Sequence, residues 1–282
     1  MMSMEIYSSI ETGFRMIRKV LTMPELVRPN QEVTLSDQCY RFENVSFSYE
    51  KGIEVLHDIN FEVKPNSVFA IVGESGSGKS TIAKLMAGFF DADDGRIYFG
   101  DQDVKSIPTS QLMKHVAYVA QDNFLFDTSI RENLKIAKAD ATDEEIQAAL
   151  KAANCLELIE RLPEGLNSNA GDCGKFLSGG ERQRITLARA MLADAQCIIL
   201  DEATAYADVE NEAKIQEALS RLMKDKTLIV VAHRLNTIVG ADQIMVLGHG
   251  KIESIGTHKE LIQNSSAYQK LWQSYSGKEV VE

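Results

Sequence analysis

Gly73-Glu74-Ser75-Gly76-Ser77-Gly78-Lys79-Ser80-Thr81 sets one ammonium and several hydroxyls inside a glycine-rich run. The spacing fits GxxxxGK[ST], a loop that wraps its backbone N–H groups around phosphates when a strand precedes it and a helix follows. Ser67-Val68-Phe69-Ala70-Ile71-Val72 reads as that strand and residues 79–87 as that helix. The helix N-terminus adds its dipole, Lys79 reaches β- and γ-phosphates, and the Ser80 hydroxyl ligates Mg²⁺. ATP and Mg²⁺ are therefore the expected ligands, and the whole run from Gly73 to Thr81 forms the ATP-binding set.

A second run, Cys197-Ile198-Ile199-Leu200-Asp201-Glu202, is an apolar strand ending in two carboxylates. Asp201 beside a phosphate loop would hold the Mg²⁺ shell, and Glu202 would polarise an attacking water. Alone, an acidic pair usually just caps a strand or helix; with the phosphate loop, the chemical reading prevails. Leu177-Ser178-Gly179-Gly180-Glu181 is a third run, in which bare backbone donors and a hydroxyl open a helix. By itself it is an ordinary Ser/Gly cap.

The elements that must position these groups follow from periodicity. Tyr40-Arg41-Phe42-Glu43-Asn44-Val45-Ser46-Phe47-Ser48-Tyr49 and Ile59-Asn60-Phe61-Glu62-Val63 alternate with period two, as antiparallel strands do. Residues 197–200 and 227–232 suit buried parallel strands. Residues 127–162 show helical spacing throughout, and further helices are expected over 180–192, 209–222 and beyond Lys259, with a hairpin over 243–247 and 251–254. Strands alternating with helices imply a layered, mostly parallel α/β core.

Near the N-terminus, Ile6, Ile10, Phe14, Ile17 and Leu21 share one face of a helix, which Pro24 and Pro29 end. The pattern alone allows this helix to pack on its own domain, to be an incidental boundary segment, or to be the tail of a neighbouring domain's helix. Of 282 residues, 44% are hydrophobic and 25% charged, and the net charge is −11. That acidity argues against non-specific nucleic-acid binding, which needs clustered cations, and leaves room for a local basic site such as an ATP pocket. Cys39, Cys155, Cys173 and Cys197 form no CxxC pair, as expected of incidental thiols in a reducing compartment. No apolar run approaches the roughly 18 residues of a membrane span.

From residue 38 to about 275 the chain resembles the nucleotide-binding domain of an ABC transporter. Leu177-Ser178-Gly179-Gly180-Glu181 matches that family's signature, and the resemblance implies that Ser178, Gly179, Gly180 and Glu181 face ATP held by an opposing domain. It further implies Tyr49 as the aromatic stacked on adenine and Gln121 as the Q-loop residue touching Mg²⁺ and water. His233 corresponds to the switch residue at the γ-phosphate, and Asp208 to the D-loop aspartate. Taken alone, Tyr49 is a packed strand residue and His233 a structural one. Asn169-Ala170-Gly171-Asp172 and the tract QDNFLFDTSIRENL, residues 121–134, are similar to exporter-type domains. So is the N-terminal helix, as the cytosolic end of a last transmembrane helix.

The resemblance implies a P-loop NTPase fold: a RecA-like core with an antiparallel β-subdomain, plus an α-helical subdomain over about 122–192. Residues 1–37 form the helix and linker, and 38–282 the ATP-binding domain. Implied partners are a second such domain, identical or not, and a transmembrane domain, fused upstream or separate. No nucleic acid is implied, and the expected place is the cytoplasmic face of a membrane. Ala203-Thr204-Ala205-Tyr206-Ala207-Asp208 departs from the usual Ala-Thr-Ser-Ala-Leu-Asp, and with Glu210 and Asn211 resembles exporter-fold systems for siderophores or related chelators. Asp172 stands where Glu is usual, and Gly248 where Asp often is. The rival class is a soluble ABC ATPase of DNA repair or translation, which usually carries coiled-coil insertions, tandem ATPase domains or basic surfaces.

Overall fold

A computed structural model describes residues 2–22, 26–36, 39–50, 52–201, 217, 226–232 and 235–276. The elements are α1 (Met2–Leu21), β1 (Tyr40–Glu50), β2 (Ile53–Val63), β3 (Val68–Val72), α2 (Lys79–Met86), β4 (Asp94–Phe99), β5 (Gln102–Asp103) and α3 (Thr109–His115). They continue with β6 (Val116–Val119), α4 (Ile130–Lys135), α5 (Asp143–Ala152), α6 (Leu156–Arg161), α7 (Gly179–Leu192), β7 (Cys197–Asp201), β8 (Thr227–Val231), β9 (Gln243–Gly248) and β10 (Lys251–Gly256). Two helices follow, α8 (His258–Asn264) and α9 (Ser266–Ser276).

Two sheets result. Strands β2-β1-β4-β5 form an antiparallel sheet, and β10-β9-β3-β8-β7-β6 form a second, parallel apart from the β9–β10 hairpin. The parallel strands are apolar on both faces because both faces are covered. Ile199 joins a core shared with Phe42, Phe61, Phe69 and the α2 residues Ile82 and Leu85. Its neighbours Ile198 and Leu200 point the other way, into a core with Ile130, Ile146, Leu150 and Ile185 of the helical region. Ala70 and Val72 likewise face a third cluster with Leu261 and Tyr268. Each fully buried Ile or Phe contributes about 1.5–3 kcal/mol of transfer free energy.

The sequence reading of 127–162 as helical throughout is corrected. Three short helices occupy it, because Thr142 caps α5 reciprocally with Glu145 and Asn154 adopts φ +55° just after that helix. Both choices are locally favourable and break the run. The single terminal helix is likewise two, parted at Ser265, whose Oγ accepts from the Tyr268 N–H at 3.2 Å. Strand β2 begins at Ile53, six residues before the expected start. The helix expected over 209–222 falls almost entirely outside the described residues.

The α1 stripe does not pack on its own domain: Ile10, Phe14, Ile17 and Leu21 are 51–79% exposed. The chain after it is fastened. Arg28 grips Asp91 with two hydrogen bonds, of 2.7 and 3.1 Å, and its side chain is only 7% exposed. The Gln111 amide accepts from the Val33 N–H at 3.0 Å and donates to the Val33 carbonyl at 2.7 Å. Among the described residues, no helix is long and apolar enough to cross a membrane.

Losing either partner of a half-buried ion pair leaves a charge without its counterpart, so Arg28→Ala and Asp91→Ala should each cost about 1–3 kcal/mol in urea unfolding. The double variant should cost clearly less than the sum. Strictly additive effects would show that the linker is not fastened in solution.

Candidate functional site

The phosphate loop leaves the sheet where β3 ends at Val72. A Cβ on Gly73 would stand 2.1 Å from the Leu247 carbonyl of β9, so only glycine lets the loop start against that strand. Gly78 caps α2 with φ +103° and no side chain, and a Cβ there would meet Leu56 at 2.7 Å. The first turn of α2 thereby keeps its backbone donors unobstructed by a cap. Lys79 is buried beneath the loop, and its ammonium donates to the Gly73 and Glu74 carbonyls at 3.0 and 2.8 Å. These bonds hold a buried cation beside the anion-binding turn.

Asp201 ends β7 and is 4% exposed. Its Oδ1 accepts from the Ser80 hydroxyl at 2.8 Å, and its Oδ2 from the Tyr118 hydroxyl at 2.6 Å. Burial pushes the Tyr118 hydroxyl far above the usual tyrosine range, and the bond to Asp201 adds to it, so it remains a donor. Sequence reasoning passed over Tyr118, although it stands three residues before Gln121; only strand pairing brings it to Asp201.

Tyr49, Val55, Ser75, Gly76, Gly78, Lys79, Ser80 and Thr81 line one cavity of about 260 Å³. Tyr49 is half-exposed there, held edge-on by Phe47 and Phe90 at 4.9 and 5.2 Å, with its hydroxyl donating to Thr81 Oγ1 at 3.2 Å. A larger cleft of about 540 Å³ lies beside the same loop, towards β9, β10 and α9. Lys79 and Ser80 line the smaller cavity and not the larger, so the residues expected to meet phosphate gather at the smaller one.

The second predicted cluster stands apart. Ser178 caps α7, its Oγ accepting from the Glu181 N–H at 3.3 Å while Glu181 accepts from the Ser178 N–H at 2.8 Å. Burial raises the Glu181 carboxyl, but its bonds to Ser178 and its ion pair with Arg161 outweigh that, and the net direction is down. Ser178 is exposed, and none of residues 177–181 lines the P-loop cavity of the same chain.

Gln121 lies exposed in a turn just past β6. The tracts singled out over 121–134 and 169–172 meet: Ser129 and Asn169 form a β-bridge, and the Ala170 N–H donates to Thr128 at 2.9 Å. Beside them Phe124 and Phe126 stand edge-to-face at 5.0 Å, each nearly half exposed. Glu202, Asp208 and His233 lie outside the described residues, although their neighbours Asp201 and Ala232 are placed at the ends of β7 and β8.

A hydroxyl and a carboxylate meeting at 2.8 Å make an oxygen donor pair of the kind Mg²⁺ takes. Among the described residues, no group of three or more His, Cys, Asp or Glu could hold a metal ion.

Comparisons with known proteins agree with this geometry. The family model described as ABC transporter matches residues 56–205. Over 233 residues the chain is 47% identical to the mycobactin import ATP-binding/permease protein IrtA of Mycolicibacterium smegmatis, covering 83% of this chain and 27% of that protein. It is 48% identical to the heavy metal tolerance protein of Schizosaccharomyces pombe, covering 82% of this chain and 28% of that one. A solved bacterial Atm1-family ABC exporter with ATP bound superposes with TM-score 0.86 at 33% identity, over 98% of this chain and 48% of that chain. The chain thus spans a quarter to a half of the proteins it matches. With the P-loop at the end of β3 and more than half of its length matched by the family model, the chain belongs to the ABC transporter family, as a nucleotide-binding domain of the exporter type.

Proposed function

We propose that this chain binds and hydrolyses ATP with Mg²⁺ and, paired head to tail with a second such domain, powers translocation across a membrane. The observation that carries the reading is the meeting of Lys79 and Ser80 at one P-loop cavity, with Asp201 accepting a hydrogen bond from Ser80 at 2.8 Å. Lys79 exchanges its two carbonyl partners for β/γ-phosphate oxygens, and Tyr49 offers its exposed ring to adenine. Ser80, Asp201 and Gln121 would hold Mg²⁺, which when bound neutralises charge on the phosphates. The Glu202 carboxylate accepts the proton of the attacking water, and Gln121 and His233 orient groups around the γ-phosphate. Asp208 links the two sites.

Pairing is supported by size and by position. A cavity of about 260 Å³ is below the roughly 300–1,000 Å³ of ordinary ligand sites, in keeping with a site that a second chain completes. The exposed Ser178 cap of α7 supplies hydroxyl and backbone donors that its own chain does not use on phosphate. Residues 1–37 act as the link from a transmembrane domain and 38–282 as the ATP-binding domain, with its helical part over about 122–192. The joined surface of residues 121–134 and 169–172, with Phe124 and Phe126 exposed, faces that membrane domain. On this reading the chain works at the cytoplasmic face of a membrane.

Three measurements test the reading. Glu202→Gln should lower phosphate release by roughly 10²–10⁴ while ATP still binds; near-normal turnover would remove Glu202 from the base role. Lys79→Ala should abolish tight ATP binding in a fluorescent-nucleotide titration, and unchanged affinity would sink the phosphate-site assignment. Light scattering of the Glu202→Gln chain should show a dimer with ATP and Mg²⁺ and a monomer without; a persistent monomer that binds ATP would refute pairing between two copies of this chain.

A further inference from the structure

Asp201 offers two carboxylate oxygens, and among the described residues one donor reaches each. Ser80, in the first turn of α2, donates to Oδ1 at 2.8 Å. Tyr118, on β6, donates to Oδ2 at 2.6 Å. A carboxylate's terminal torsion is broad and nearly two-fold, so a single donor leaves it free to turn. Two donors from different elements remove that freedom. Tyr118 is itself held: β6 and β7 pair in parallel with Tyr118 opposite Ile199 and Val119 opposite Leu200. Its ring also packs edge-on against Phe89 at 5.0 Å. The phenol therefore reaches Asp201 from a strand and ring whose positions are already set. Gln121 leaves the same strand three residues later.

We propose that Tyr118 is a positioning residue, whose hydroxyl fixes the Asp201 carboxylate in the orientation that serves the Mg²⁺ shell. This rests on the nucleotide–metal reading above. Tyr118 touches neither nucleotide nor metal in this role; it acts through Asp201. Tyr118→Phe keeps the ring and removes only the donor, leaving Oδ2 of a buried carboxylate without its partner.

The test titrates a fluorescent, non-hydrolysable ATP analogue into the full chain, in EDTA and in excess Mg²⁺, for the wild type and Tyr118→Phe. Affinity in EDTA should agree within about two-fold. The gain in affinity on adding Mg²⁺ should shrink by roughly ten-fold in the variant, the lower end for one hydrogen bond to a charged group. Weaker Mn²⁺ binding in the presence of the analogue, read by electron paramagnetic resonance, should accompany it. An undiminished Mg²⁺ gain in Tyr118→Phe, even with a lower melting temperature, overturns the proposal and leaves a packing role. A wild type that gains nothing from Mg²⁺ overturns the nucleotide–metal reading and this assignment with it. Should Tyr118→Phe fail to fold, 3-fluorotyrosine placed at position 118 alone retains the hydroxyl. Its fluorine resonance should shift when Mg²⁺ joins the bound analogue, and a resonance indifferent to the metal overturns the proposal.

Discussion

The Asp201 carboxylate accepts one hydrogen bond from α2 and one from β6, and this is where the parts of the domain are tied to each other. Ser80 belongs to the helix that the phosphate loop opens, and Tyr118 to the edge strand that leads to Gln121. A carboxylate buried to 4% exposure is costly without hydrogen-bond partners, and the fold brings it donors from two elements. The parallel register of β6 and β7 is therefore constrained by chemistry as well as by packing. A slip of one residue would turn the Tyr118 side chain to the opposite face and remove its donor.

The same economy appears at the phosphate loop. The loop can start only because Gly73 lies flat against the Leu247 carbonyl, which fixes β9 as a neighbour of β3. Lys79 is held by two loop carbonyls, so the cation is ordered before any phosphate arrives. Ordering a long side chain in advance reduces what binding must later spend in entropy. The signature cap is built on different principles, with Ser178 and Glu181 satisfying each other's backbone and the hydroxyl left at the surface. One cluster is a cradle around a buried cation and the other an exposed helix end.

Much of this was legible in the sequence because the decisive signals are local. The phosphate loop, the strand ending in Asp201 and the cap at Ser178 each lie within ten residues, and each falls at the expected end of its element. What escaped was set by caps or by distant pairing. Thr142 with Glu145 and the left-handed Asn154 cut one helical period into pieces, although the apolar spacing runs on across them. Tyr118 looked like any strand residue, since its partner lies 83 positions away and only the β6–β7 register brings it near. The contact between the tracts at Ser129 and Asn169 was hidden for the same reason.

The chain after the N-terminal helix is tied into the domain by contacts of its own. The helix exposes Phe14, Ile17 and Leu21, whereas the strand-like chain after it is pinned at Arg28 and Val33. Asp91 follows α2 by five residues, and Gln111 lies in α3, which leads directly into β6. Arg28 and Val33 therefore tie this segment to chain that borders the elements carrying Ser80 and Tyr118, the two donors that meet at Asp201. Dense packing of those elements keeps the distance between the ties and the carboxylate fixed.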